Sequence, residues 1–520
     1  MTVYEGSIIT CDERGSVARF LVEDRGRIEY VGDKLPERYA SLPRTGLGDG
    51  SLVPALADTH IHFMSYALFA SGLDVRNCRS IEETAARIAE FAKARRDAVI
   101  VGFGASAHAV AEKRLPTRAD LDRSCSDRGV FVVKYDGHAC TVNSPLLASL
   151  PKSLASVRGY NAESGIMTQE AFFRVTDFVT SKVSLIKTLD SMLSAIDGMA
   201  AWGIGTVHSV TGVGFPMDAD VMLESAFARG LRNPMRYRIF FQTMDVEKVI
   251  KRRLPRIGGC FSTALDGCFG SVDAALNSPY SNDRGNAGIL YYPDETVRDF
   301  AVRANRAGLQ IEMHAIGDRA FDQAVGAIRA ALEDFPRSDH RHTVIHACLP
   351  TERGLETCAE LDIGIAVQPA FLRWDQEPLG YLEGILGNRA LSLSPLKRMA
   401  GMGIRMAGGS DAPCTAPDPI RGIWAACNHY LSGESLSIQE ALNLYTRNAA
   451  WMGFDEKECG SLEIGKAADM TVLSADPLAT DPKRLLDLRV EKLILAGNAY
   501  KPGQGKTEML ARALFSRREI

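Results

Sequence analysis

Read for the spacing of its apolar and polar positions, the chain changes character twice. Residues 1 to about 53 alternate apolar and polar side chains over VYEGSIITCD, SVARFLVEDRGRIEYVG and TGLGDGSLVPA, with Gly and Asp at the turns. Alternation bounded by turn residues predicts strands, so a small β unit opens the chain. From about residue 80 the period lengthens. Ser80, with Glu83 three residues on, has the form of a capping box and predicts a helix through ARIAEFAKARR. Strands and amphipathic helices then alternate. The predicted strands are DAVIVGFG, GVFVVKYDGH, GTVHSV, RYRIFFQT, LQIEMHAIG, HTVIHAC, GIAVQP and IRMAGGSDAP. Between them lie helical stretches such as IKTLDSMLSAIDGMAAWGI, PDETVRDFAVRANRAG and AFDQAVGAIRAALEDF. After SIQEALNLYTRNAAWMGF, β character returns in GSLEIGKAADMTVLSADP and RVEKLILAGNAY.

Strands joined by helices of about 10–15 residues are βαβ units, and about eight of them predict a (β/α)8 barrel. The expected fold is α/β: a TIM-like barrel with an insertion, plus a small β-sandwich built from both chain ends. The boundaries are residues 1–55 and 456–510 for the composite β-sandwich domain and 56–455 for the barrel. The insertion is expected around 75–195, where the chain is longer than one βα unit needs.

Composition narrows the function classes. In 520 residues, 60 Lys and Arg nearly balance 64 Asp and Glu, for a net charge of -4. That balance gives no sign of a nucleic-acid or membrane partner. No secretory signal opens the chain, and no apolar run of about 18 residues predicts a membrane span. The 11 cysteines form no CxxC pair, which fits a reducing cytoplasm. The expected partner is a small-molecule substrate, with a homodimer the default assembly for a soluble enzyme.

The candidate chemistry begins in SLVPALADTHIHF, residues 51–63. Residues i and i+2 of a strand share a face, so His60 and His62 can hold one metal ion. Two ligands do not make a site, and barrel active sites draw on the C-terminal ends of several strands. His314 ends LQIEMH, His346 ends HTVIH and Asp411 follows IRMAGGS. Singly, a histidine at a strand end is more often packed and hydrogen-bonded than ligating. Five such residues at matching places in one barrel point to a metal centre.

At these residues the chain resembles the amidohydrolase superfamily, and within it the long YtcJ-like branch (amidohydrolase family 3). LADTHIHF, YDGHACTVNSPLL, MHAIGDRAFDQA, VIHACLP, GGSDAP and GSLEIGKAADMTVL carry the likeness, which spans nearly the whole chain. The resemblance implies one or two divalent metal ions, zinc first among the candidates. It implies His60, His62, His314 and Asp411 as metal ligands. His346 is then either a further ligand or a donor to the substrate carbonyl. Asp411 is the implied proton shuttle, and the implied reaction is metal-assisted hydrolysis of a C–N bond in an amide or cyclic amide. Deamination of an aminated heterocycle at one metal is the alternative, and a barrel that has lost catalysis is the weakest reading.

One departure stands out. Relatives in this branch carry a lysine before the Asp-Gly of the fourth strand, which bridges two metals when carbamylated. The matching stretch here, Cys260 to Gly267, has none. Cys260 or Cys268 could supply a thiolate, although a buried structural cysteine is the favoured reading of each. His138, in the Gly-His that relatives share, and Trp374, just past the seventh strand, are the candidate substrate-binding residues. Asp318 is expected to cap a helix rather than orient His314. His208 is placed at the end of its strand, able to face the pocket or to pack.

Overall fold

A computed structural model describes residues 1–520. Its centre is an eight-stranded parallel sheet. The strands are β1 (Leu56–Ile61), β2 (Ile204–Thr211), β3 (Arg236–Phe241), β4 (Arg256–Ala264), β5 (Gln310–Ala315), β6 (Thr343–His346), β7 (Gly364–Val367) and β8 (Met406–Gly408). Every residue of β1, β2 and β5 is buried. Strands covered on both faces have no solvent side to mark with polar residues, so they read as continuous runs rather than as alternation. The helices between them are amphipathic. Asp318–Asp334, for example, buries Phe321, Ala324, Val325, Ile328 and Ala331 on one face. One hydrophobic core of 77 residues joins barrel and helices.

The sheet nearly closes. Just past its last strand, Asp411 N–H donates to the His60 carbonyl at 2.8 Å and His62 N–H donates to the Ala412 carbonyl at 3.0 Å. Close approach at this seam depends on Gly409, where a Cβ would stand 2.6 Å from the His60 nitrogen. The seam therefore fixes His60, near the end of β1, and His62, just past it, against the aspartate that follows β8.

Both chain ends contribute to one seven-stranded sheet. Arg44–Pro54 lies inside it, parallel to Thr2–Ile9 and antiparallel to Met470–Leu473. The same strand runs almost directly into β1. A separate five-stranded sheet takes Leu73–Asp74, Val99–Ala105, Gly129–Lys134, Ala139–Val142 and Ile166–Thr168 in that order. Two of the strands read from sequence as barrel-like, DAVIVGFG and GVFVVKYDGH, belong to this sheet. Helix Leu185–Ala201, by contrast, packs on Phe63–Ala70 and leads into β2, so it lies in the helical layer of the barrel. No helix is long and apolar enough to cross a membrane.

Candidate metal centre

His60 and His62 leave β1 toward the mouth of the barrel, while Ile61 between them packs into the core. The Nε2 atom of each histidine lies 3.3 Å from Asp411 Oδ1. That oxygen is buried and receives no hydrogen bond. Two ring nitrogens and a carboxylate oxygen thus converge, as donors around a shared cation would. Cys260 adds a fourth donor, its Sγ 3.1 Å from His60 Nε2. The ligand atoms of His60, His62, Cys260 and Asp411 all lie within 4.8 Å of one another. Imidazole, thiolate and carboxylate together are the donor set of zinc, and the residues fit a divalent cation.

The cysteine arrives there because β4 leaves its register. Gly259 pairs with Met313 of β5, and the next pair is Ala264 with His314. Residues 260–263 therefore bulge from the ladder, and bulges beside active sites re-aim side chains. Gln242 holds the bulge, its Oε1 accepting from the Cys260 and Phe261 amides at 3.1 Å each. Cys260 consequently stands among the ligand atoms rather than in an apolar wall. Cys268 does not; its thiol donates to Asp136 Oδ2 at 3.2 Å.

His346 and His314 stand beside this group. His346 Nε2 is 3.7 Å from Cys260 Sγ, and the His314 and His346 rings are 4.7 Å apart. Gln368 Oε1 lies 2.6 Å from His346 Nδ1, while the Gln368 amide nitrogen donates to the Ala366 carbonyl. That second bond orients the amide, so Oε1 accepts the Nδ1 proton and leaves the Nε2 lone pair facing Cys260. Asp266 Oδ1 lies 3.3 Å from His314 Nδ1 without a hydrogen bond between them, and the Asp266 carboxylate accepts from the Ile316, Gly317 and Ala275 amides. Asp58 braces the seam in the same way, accepting from the Ser410 amide and hydroxyl and from the His60 amide. His346 (φ 71°) and Asp411 (φ 55°) both hold left-handed backbone, a strain that non-glycine residues carry chiefly at functional sites.

The electrostatics suit ligation. Burial pushes His60 and His346 below their ordinary range. Burial, reinforced by His138, takes His314 down to about 3. Neutral imidazole is the ligating form. Burial alone would raise Asp411, but the His60 and His62 imidazoles outweigh it and hold the carboxyl well below the usual carboxylate range. Burial, and then the Asp411 charge, pushes the Cys260 thiol well above its ordinary value.

His62, Cys260, His314, His346 and Asp411 open on a cavity of about 100 Å³, with His138 and Trp374 on its wall. The other histidines serve structure. His208 lies inside β2, which runs on to Thr211, so it sits below the mouth and off the cavity wall. His429 Nε2 bonds the Leu393 carbonyl, His340 the Leu361 carbonyl and His342 the Asn305 side chain. His108 stacks on Tyr381. Asp318 Oδ1 accepts from the Arg319 and Asn277 amides at the start of its helix and does not reach His314.

A barrel of parallel strands with such donors at their C-terminal ends is the architecture of a metal-dependent hydrolase. Residues 47–499 match the family described as Amidohydrolase family, and the chain belongs to that family. It is 29% identical to Bacillus subtilis YtcJ, named as an amidohydrolase, over 95% of this chain and 97% of the relative. It is 24% identical to an N-substituted formamide deformylase of Arthrobacter pascens, over 96% and 97% of the two chains. A solved metal-dependent hydrolase from Pyrococcus furiosus superposes with a TM-score of 0.73 at 26% identity, covering 92% of this chain and 99% of that one. Family and site together make the protein a metal-dependent amidohydrolase, a hydrolase of carbon–nitrogen bonds.

Proposed function

We propose that the protein hydrolyses the C–N bond of a small amide, with a divalent cation, zinc first, held by His60, His62, Cys260 and Asp411. His314 completes the site as a ligand or as a donor to the substrate, and His346, with its lone pair on Nε2, as a further ligand. The observation that carries this reading is the buried, unbonded Asp411 Oδ1 at 3.3 Å from two imidazole nitrogens. When bound, such a cation lowers the pKa of water from 15.7 to about 7, which makes hydroxide available near neutrality.

The chain's own groups do the rest. Asp411 takes the proton as the water oxygen bonds to the amide carbon, and returns it to the nitrogen as the C–N bond breaks. His346, with its tautomer set by Gln368, keeps its Nε2 lone pair turned toward the cation site. The apolar cavity wall excludes bulk water, which strengthens each of these polar contacts. The relative named as an N-substituted formamide deformylase supports an amide as the bond cleaved.

The test is turnover of a panel of small amides by chain stripped of metal and then reloaded with zinc. Activity that disappears on stripping and returns on reloading is expected. Ammonia release from aminated heterocycles, with no amide cleaved, would replace amide hydrolysis by deamination.

A further inference from the structure

We infer that the substrate presents an aromatic group without negative charge to the cavity between the barrel mouth and the inserted sheet. The inference rests on the hydrolase reading for the reaction and on the cavity itself for recognition.

Two aromatic walls each begin at a histidine of the metal centre. On one side Phe261 lies 4.8 Å from the His62 ring and 5.2 Å from Phe173, which comes from the helix following the inserted sheet. On the other, Phe371 lies 5.8 Å from the His346 ring and stacks on Trp374 at 4.9 Å. A ring placed between these walls sits beside the reacting bond. The cavity, about 100 Å³, is on the scale of one aromatic ring. Edge and face contacts with such walls favour an aromatic group over an aliphatic one.

Charge makes the second half of the case. No Lys or Arg lines the cavity, whereas the carboxyl groups of Asp136, Glu377 and Asp411 do. Lys134, paired with Asp136 of the cavity lining, is buried and fully engaged. Its Nζ donates to Asp136 Oδ2 at 2.6 Å, Ser271 Oγ at 2.7 Å and the Gly270 carbonyl at 3.1 Å. An ammonium has three donors, so none remains for a ligand. Arg373, next to Trp374, is held by the Asn428 carbonyl and over the Tyr430 ring. A substrate carboxylate placed among the aromatic walls, away from the cation, would lose its water and meet no Lys or Arg side chain, with Glu377 and the Lys134-paired Asp136 lining the cavity. A negative charge on the group between the aromatic walls is therefore disfavoured, and amides with a neutral N-aryl or N-arylalkyl group fit.

The experiment compares acetanilide, its ring carboxylate 4-acetamidobenzoate and N-methylacetamide. Binding is measured by ligand-observed NMR on the full metal-stripped chain, and turnover on the zinc-loaded chain. Acetanilide is expected to bind at least tenfold more tightly than either of the others. Phe173→Ala, at a half-buried position, is expected to weaken acetanilide about tenfold and leave N-methylacetamide unchanged. Equal binding of acetanilide and 4-acetamidobenzoate overturns the inference, as does acetanilide binding no tighter than N-methylacetamide. The expected binding order with no turnover by zinc-loaded chain sustains the inference and overturns the hydrolase reading instead.

Discussion

Cys260 Sγ lies 3.1 Å from His60 Nε2 and 3.7 Å from His346 Nε2, between the two parts of the metal centre. Its thiol is held protonated by burial in the metal-free chain, so a cation must displace the proton as it binds. Cobalt-loaded protein is expected to show a thiolate-to-metal charge-transfer band that Cys260→Ser lacks. An unchanged spectrum in the variant would remove Cys260 from the ligand set.

Asp411 is assigned both ligation and proton transfer. Asp411→Asn keeps the shape and removes the basic oxygen. It is expected to lower kcat by about 10²–10⁴-fold, with zinc still bound through His60, His62 and Cys260. Full activity in this variant would show that another group carries the proton.

Gln368 sets the His346 tautomer through its 2.6 Å contact with Nδ1. Gln368→Leu removes the acceptor without adding charge. A loss of roughly 10–100-fold in activity or metal affinity is expected, with Gln368→Glu recovering much of it because the acceptor returns. Equal activity in Leu and Glu variants would contradict the orienting role.

Asp58 ties β1 to the segment after β8 through Ser410 and His60. Asp58→Ala leaves buried donors unpaired at the seam. A loss of roughly 2–4 kcal/mol in stability is expected, read by denaturant unfolding of the metal-free chain. A variant as stable as the parent would mean that the seam closes without this brace.

Glu224 lies buried away from the site, accepting from the Tyr237 hydroxyl at 2.5 Å. Burial raises its carboxyl from 4.5 to about 7, against the pull of the Ser209 and Tyr237 hydroxyls. The native state thus holds the proton more tightly than the unfolded chain. The resulting stability is present below the unfolded value and is lost as pH climbs through the native one. Glu224→Gln should gain on the parent between about pH 4.5 and 7, by on the order of 3 kcal/mol, then stay level. Paired melting curves at pH 4.5 and 8 measure this difference, and a constant difference would contradict it.

Much of the candidate site was legible because polar residues at strand ends leave a local signature. HIH in β1 follows from the two-residue strand period, and His314, His346 and Asp411 each close a short buried run. Cys260 was not legible as a member of the group. Its placement depends on the bulge at residues 260–263 and on Gln242, a partner 18 positions away. Asp58, Asp266 and Gln368 act by accepting hydrogen bonds across strands, and such contacts have no sequence period. The inserted sheet posed a different difficulty. Val99–Ala105 and Gly129–Lys134 pair in parallel and are almost wholly buried, so locally they match barrel strands. Only the pairing partners distinguish one sheet from the other.

The central claim is that His60, His62, Cys260 and Asp411 form a divalent-cation site on which hydrolysis depends. Elemental analysis of the purified chain, stripped and then reloaded with zinc before desalting, tests it most directly. At least one zinc per chain is expected in the parent, and none in a His60→Ala/His62→Ala double variant that remains folded by circular dichroism. A parent chain that retains no zinc, or a double variant that retains as much as the parent, would contradict the assignment of the metal centre.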